Sequence, residues 1–157
     1  MTMKRPALRF QCLPFDLLDA GRLYQIMTLR QEVFVVEQAC AYLDADGKDL
    51  LCHHILGYHP DGRLWAYARI IPPGLSYEGY VSIGRVVTAP EARRFGYGRE
   101  LMAESVAYIE SLYGKAPVKI SAQAYLIGFY ASFGFKTVGE EYLEDGIPHI
   151  GMVRVGG

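Results

Sequence analysis

"VVTAPEARRFGYGREL", residues 86–101, changes character twice along its length. An apolar run ends at Thr88, Pro90 breaks it, and Arg93, Arg94, Gly96 and Gly98 lead straight into a helical pattern. Met102, Val106, Ile109 and Tyr113 recur at helical steps, flanked by Leu101 and Leu112, until Gly114 and Pro117 end the run. A strand that passes through a loop into a helix leaves the first helical N–H groups without partners. The helix dipole adds partial positive charge at that end, and glycine admits a bulky anion close to the backbone. A phosphate group is the natural occupant.

Working outward, ALRFQCL (7–13) reads as a strand, and a helix is expected from Asp16 to Glu37 on the spacing of Leu23, Ile26, Met27, Val33 and Phe34. HHILGYH (53–59), RLWAYARII (63–71) and YVSIGRVVT (80–88) follow as three antiparallel strands, the first two joined by Pro60–Asp61–Gly62. After the long helix, VKISAQ (118–123) is a strand. A short helix with Leu126, Phe129 and Phe133 on one face comes next. Phe135–Glu140 and His149–Val155 close the chain as strands around Asp145–Gly146. The expected fold is α/β (α+β), a mixed and mostly antiparallel sheet with helices on both faces, in one domain over residues 1–157.

The 157 residues are 51% hydrophobic and 21% charged, with a formal net charge of −1. No global field draws this chain to nucleic acid or to an anionic membrane, so any anion site must be local. No run approaches the roughly 20 apolar residues of a membrane span. The opening MTMKRPALRFQCLPF has no stretch suited to a signal peptide, and Cys12, Cys40 and Cys52 fit no zinc spacing. Free thiols and a cytoplasmic location are expected, with Cys40 and Cys52 as small buried residues.

The loop lacks the Gly-Lys-Ser/Thr of a Walker A motif and the third glycine of a dinucleotide fingerprint. Its pattern, Arg93-x-x-Gly96-x-Gly98, resembles the pyrophosphate loop of the GNAT superfamily of acyl-CoA-dependent N-acyltransferases. LIGFYASFGF (126–135) is similar to that family's second signature. The likeness is closest to the ElaA-type branch, through LRQEVFVVEQACAYLDADGKD (29–49), IGRVVT (83–88), SAQAYLIGFY (121–130) and EDGIPHI (144–150), and covers nearly the whole chain.

The resemblance implies a sheet of six to seven strands whose central pair splays to admit the pantetheine arm of acetyl-CoA. It places Val86, Val87 and Thr88 against that arm, with the Val87 or Thr88 N–H facing the thioester carbonyl. Backbone amides through Arg94, Phe95, Gly96, Tyr97, Gly98 and Arg99 would hold the pyrophosphate, with Arg93 and Arg94 near phosphate. Phe129 and Tyr130 would flank the cofactor, and Tyr130, otherwise a packing residue, would protonate the departing thiolate. Gln123 stands where many members carry an Asn that bonds the arm, a departure from the pattern.

On the acceptor side, Glu32, Glu37, His54 and His149 are candidates for the base. Arg69 and Arg85, charges inside apolar strands, are either ion-pair partners or anion readers for the acceptor. His53 and His54 point to opposite faces of a strand and cannot chelate one ion. Asp44, Asp46 and Asp49 lack the remaining ligands of a calcium loop. No metal site is expected. The implied activity is transfer of acetyl from acetyl-CoA to a primary amine of a small molecule or peptide by direct attack. A noncatalytic acyl-CoA-binding module is the alternative. A homodimer is allowed; nucleic acid and membrane are not expected partners.

Overall fold

The computed structural model describes residues 4–156. Strand β1 (Arg9–Pro14) is followed by α1 (Ala20–Arg30), β2 (His53–Tyr58), β3 (Leu64–Ile71) and β4 (Ser82–Thr88). A 3-10 turn (Pro90–Phe95) then leads to α2 (Gly98–Tyr113), β5 (Val118–Gln123), α3 (Ile127–Ala131), β6 (Lys136–Glu144) and β7 (Ile147–Arg154). The first four strands form an antiparallel sheet in the order β1-β2-β3-β4, and the last three form another in the order β5-β7-β6. The two halves meet where β4 approaches β5 in parallel: Val81 N–H donates to Pro117 O (3.1 Å) and Lys119 N–H to Val81 O (2.9 Å).

Every residue of β3 is buried, so both faces of that strand are covered, and both α1 and α2 pack on it. Ile26 and Leu29 of α1 and Leu101, Met102 and Ile109 of α2 join Ile55, Tyr67, Ile70 and Met152 in one apolar cluster. Of the helical spacing 102, 106, 109 and 113, Met102 and Ile109 are buried in that cluster and Tyr113 packs against it, while Val106 is only half-buried.

The first helix and the last hairpin differ from the sequence expectation. The first helix starts at Ala20, capped by Asp19, whose Oδ1 accepts the Arg22 N–H at 2.7 Å. From Gln31 to Glu37 it winds as a π-helix, with Gln38 N–H reaching Val33 O and Cys40 N–H reaching Val35 O. The β-branched Val33, Val35 and Val36 crowd an ordinary α turn there. Strand β6 runs on to Glu144 rather than ending at Glu140. Gly139, at φ 74°, opens a bulge in which residues 139–141 face Ile150 alone, and pairing resumes at Tyr142–His149.

Candidate active site

The central gap opens because β4 is not flat. Tyr67 pairs with Val87 and Arg69 with Gly84, so Arg85 and Val86 together stand opposite Ala68. Arg85 takes φ 50°, the left-handed region, which costs a non-glycine residue about 1–2 kcal/mol. Such a bulge bends its strand, and beyond the single Val81–Val118 bridge no ladder joins β4 to β5 among the described residues. The result is a cleft of about 500 Å³. Its walls are Ile83–Thr88 of β4, Ile120, Ser121 and Gln123 of β5, Tyr130 of α3, the end of the π-helix with Gln38–Cys40, and the β6–β7 turn.

Register also sets where the β4 amides point. Ala89 N–H donates to Trp65 O at 2.8 Å, which makes 89/65 a bonded pair. Bonded and non-bonded pairs alternate in an antiparallel ladder, so Val87–Tyr67 is bonded too. The intervening Thr88 N–H then faces away from β3, into the gap. Of the two donors expected from sequence, Val87 is turned to β3 and Thr88 is the one the cleft receives.

The loop after β4 divides its labour. Gly96 sits at φ 71° and donates its N–H to Arg93 O, so it serves the turn. Within the preceding 3-10 turn, the Arg94 and Phe95 amides bond back to earlier carbonyls. The open amides are those of the first turn of α2, Gly98, Arg99 and Glu100, since Leu101 N–H already reaches Tyr97 O. The Phe95 ring stacks on Trp65 (5.9 Å), and the buried Tyr97 donates its hydroxyl to Pro6 O (2.5 Å). Those two side chains anchor the loop. Arg94 lies over the Phe95 ring (4.8 Å), and Arg99 lies beside Phe129 and Phe133 and bonds Ser132 Oγ (3.3 Å). Neither has a carboxylate partner among the described residues. Arg93 has one: Glu37 accepts two N–H bonds from it at 2.5 and 3.1 Å.

Tyr130 packs edge-on against Phe129 (5.2 Å) and Phe135 (6.1 Å) while lining the cleft. Burial, and secondarily Tyr125, raises its pKa above the ordinary tyrosine value, so the phenol keeps its proton at neutral pH. Across the cleft, His149 is 6% exposed. Its Nδ1 lies 2.7 Å from Ile147 O, and because a carbonyl only accepts, the proton sits on Nδ1. Its Nε2 stands 3.3 Å from Glu144 Oε2, and Tyr142 stacks on the ring at 6.2 Å. The Tyr142 hydroxyl is hydrogen-bonded to Ser121 Oγ. Glu144, on the strand extension not expected from sequence, was missed as a site residue. The register that sets it beside His149 has no signal in the sequence.

The arrangement matches known proteins along the chain. Residues 50–155 fit the model of the acetyltransferase (GNAT) domain. The ElaA protein of Escherichia coli is 44% identical over 149 residues, covering 94% of this chain and 96% of that protein. A UPF0039 protein of Schizosaccharomyces pombe is 44% identical over 139 residues, covering 88% and 91%. The chain belongs to the GNAT acetyltransferase family. The crystal structure of an acyl-CoA N-acyltransferase from Pseudomonas aeruginosa superposes with a TM-score of 0.89 at 45% identity, covering 95% of this chain and all of that one. The GNAT trait implied by the resemblance, a splayed central strand pair, is thus seen where β4 parts from β5, in a fold these relatives share.

Not every expected site residue reaches this GNAT cleft. His54 is fully buried beneath it: Nε2–H donates to Asp49 O (2.9 Å) and Nδ1 accepts from the Tyr67 hydroxyl (2.7 Å). Burial also lowers its pKa. Glu32 is exposed on a separate shallow groove with Tyr24, Thr28 and Glu91. Glu37 is held by Arg93 at the mouth. Of the four base candidates, His149 alone lines the cleft. Gln123 lines it too, paired with His149 across β5 and β7. Cys40, expected as buried, is half-exposed on the wall, whereas Cys52 is buried and its thiol pushed up to about 11 by desolvation.

The strand arginines meet the aspartates of the 40–52 loop instead. Arg30, 0% exposed, donates to Asp44 (2.8 Å) and Asp49 (2.7 Å); Arg69 donates to Asp46 (2.6 Å) and Asp49 (2.8 Å). Arg85 donates to Asp44 (2.9 Å) and lies 3.5 Å from Asp46. Hydrogen bonds from Arg69 hold Asp46 far below the usual carboxylate range. Burial opposes ionisation of Asp49, but Arg30 and Arg69 overcome it and hold that carboxyl low. Arg30 was missed in the sequence. Its signal was there: a cation one helical turn after Ile26, on the buried face.

Proposed function

We propose that the protein is an acetyl-CoA-dependent N-acetyltransferase that carries out direct attack by a primary amine. The observation that supports this most is one cleft lined by the bulged end of β4, by Tyr130 and by His149. The cofactor fits the residues present. The open amides of Gly98, Arg99 and Glu100, with Arg94 and Arg99 uncommitted to carboxylates, suit a pyrophosphate, and the β4–β5 gap suits an extended arm. When bound, the acyl-CoA supplies a carbonyl activated toward an amine.

The chain's own groups can do the rest. Thr88 N–H faces the gap and can receive the charge that develops on the carbonyl oxygen, a contact worth roughly 10²–10³ in rate. Glu144 and Asp145 give the acceptor wall negative charge, which favours an amine arriving as ammonium. His149 Nε2 can take the proton from it, with the Glu144 carboxylate beside the imidazolium that forms. Tyr130 keeps its proton for the departing sulfur. Holding both reactants in one cleft replaces a bimolecular encounter with positioned attack. A cytoplasmic setting, where Cys12, Cys40 and Cys52 stay reduced, belongs to the same proposal.

The test is a panel of amine acceptors with acetyl-CoA, read by released thiol, beside thermal unfolding with CoA. CoA should raise the melting temperature by mass action, and one amine class should release thiol with saturation. Stabilisation by CoA without thiol release from any amine would favour a noncatalytic binding module. No stabilisation at millimolar CoA would sink both.

A further inference from the structure

Arg85 stands on the cleft wall, where an acceptor-reading cation would stand, yet its charge is already spent. Nε donates to Asp44 Oδ1 at 2.9 Å and Nη2 to Asp44 O at 3.2 Å. Asp44 is itself 4% exposed and fixed from two other sides, by Arg30 Nε (2.8 Å) and by the Tyr42 hydroxyl (3.1 Å). The Arg85 guanidinium also lies over the Tyr42 ring at 5.5 Å. At the other end of the same side chain, the Arg85 backbone holds φ 50°, one of three non-glycine residues in that region among those described. A strained backbone conformation persists only where its surroundings hold it. Here the holding group is visible: a buried carboxylate that grips the strained residue's own side chain.

We infer that Arg85 and Asp44 are positioning residues: Asp44 holds Arg85 in its left-handed conformation, which keeps the β4 bulge and so keeps Thr88 N–H facing the gap. Arg85 then acts through the backbone and reads no acceptor. This rests on the acyl-CoA reading above, because the aimed amide matters only if a carbonyl lies in the gap. The bulge itself does not depend on that reading.

Arg85→Gly and Arg85→Ala separate the roles. Glycine adopts φ 50° freely, so the bulge survives without its anchor. Alanine keeps the strain and loses the anchor. Asp44 retains Arg30 and Tyr42 in both, so neither variant leaves a lone buried charge. Amide hydrogen exchange of residues 83–88 in the free protein should match wild type in Arg85→Gly and rise in Arg85→Ala. Calorimetry with acetyl-CoA should show a loss within about twofold for glycine and about tenfold for alanine, the factor that a strain of roughly 1–2 kcal/mol sets. Acceptor KM should stay level in both while kcat falls only in alanine. Equal losses in the two variants, or a raised acceptor KM in both, would overturn the inference by showing that the guanidinium itself meets a ligand. Unchanged exchange in Arg85→Ala would overturn it too. Wild type that binds no CoA counts against the proposed function, while the exchange result still decides the bulge.

Discussion

Two sets of three arginines flank the cleft and meet opposite fates. On and behind one wall, Arg30, Arg69 and Arg85 face Asp44, Asp46 and Asp49, and the formal charges close to zero in a mostly buried network. In front, Arg93, Arg94 and Arg99 share a single carboxylate, Glu37, and two of them rest on aromatic rings. A chain with net charge −1 thus leaves a few cations unneutralised at a helix start, the local positive charge on which the proposed phosphate contact rests. The rear set is neutralised by its own aspartates; the front set is the one the proposed function assigns to a ligand.

The sharpest way to break that contrast is to remove one carboxylate at the rear. Asp49→Ala leaves Arg30 and Arg69 buried with half their partners gone. Breaking a buried pair on one side costs about 3–5 kcal/mol, so urea unfolding should show a loss of that order. Arg94→Ala at the front should change stability by no more than about 0.5 kcal/mol while weakening CoA in a salt-dependent way. Similar stability losses at the two sites would erase the distinction between rear and front.

Tyr130→Phe comes next. The change keeps the ring against Phe129 and Phe135 and removes only the hydroxyl, so folding and CoA affinity should hold. Loss of a general acid costs roughly 10²–10⁴ in rate, and a thiolate leaves easily enough to favour the low end, about 10². The deficit should shrink as pH rises. Equal pH–rate profiles for the two proteins would leave Tyr130 as packing.

The same contrast explains what the sequence could and could not tell. The order of elements along the chain, the amphipathic α2 and the glycine turn that leads into it were legible because they are local patterns of spacing and glycine. Arg93 and Arg94 looked alike in that loop, yet Arg93 is claimed by Glu37 from a helix 56 positions away. Gly96 looked like a ligand contact, but its φ of 71° makes it a turn residue, and a valine there would strain the backbone before it met any phosphate. Arg69 and Arg85 left two readings open, and only the register of β3 against β4 and the path of the 40–52 loop decide between them. His54 and His149 were indistinguishable as histidines. One lies under the sheet with both nitrogens engaged, the other beside a carboxylate on the cleft, and that difference is tertiary.

A smaller, pH-gated effect sharpens the rear region. His54 is buried and its pKa is depressed, so the native state favours neutral imidazole. Its contribution is present above the unfolded value, about 6.5, and is lost as pH falls through the native value. Asp46 and Asp49, also depressed, contribute above about 4 and lose their share below it. The melting temperature should therefore fall in two stages on acidification, and His54→Gln should remove the upper one. A single stage in wild type, confined below pH 4, would show that His54 does not report on this network.

The smallest effect belongs to Glu37 and Arg93, the exception in the front set. Both side chains are more than 40% exposed, and exposed pairs contribute about 0–1 kcal/mol. Glu37→Gln should therefore leave stability within about 1 kcal/mol of wild type. Its effect on ligand has the opposite sign. Glu37 neutralises the one loop arginine that lines the cleft, so a phosphate must compete with it for Arg93. Releasing Arg93 should tighten CoA by a few-fold at low salt, and the gain should vanish near 1 M salt, where screening reaches about 3 Å. Calorimetry of both proteins with CoA and with dephospho-CoA reads this directly. A gain in both ligands assigns Arg93 to the pyrophosphate, and a gain in CoA alone assigns it to the ribose phosphate. Weaker binding in Glu37→Gln would mean that the pair shapes the loop mouth rather than competing with the ligand, and Arg93 would then move to the structural set.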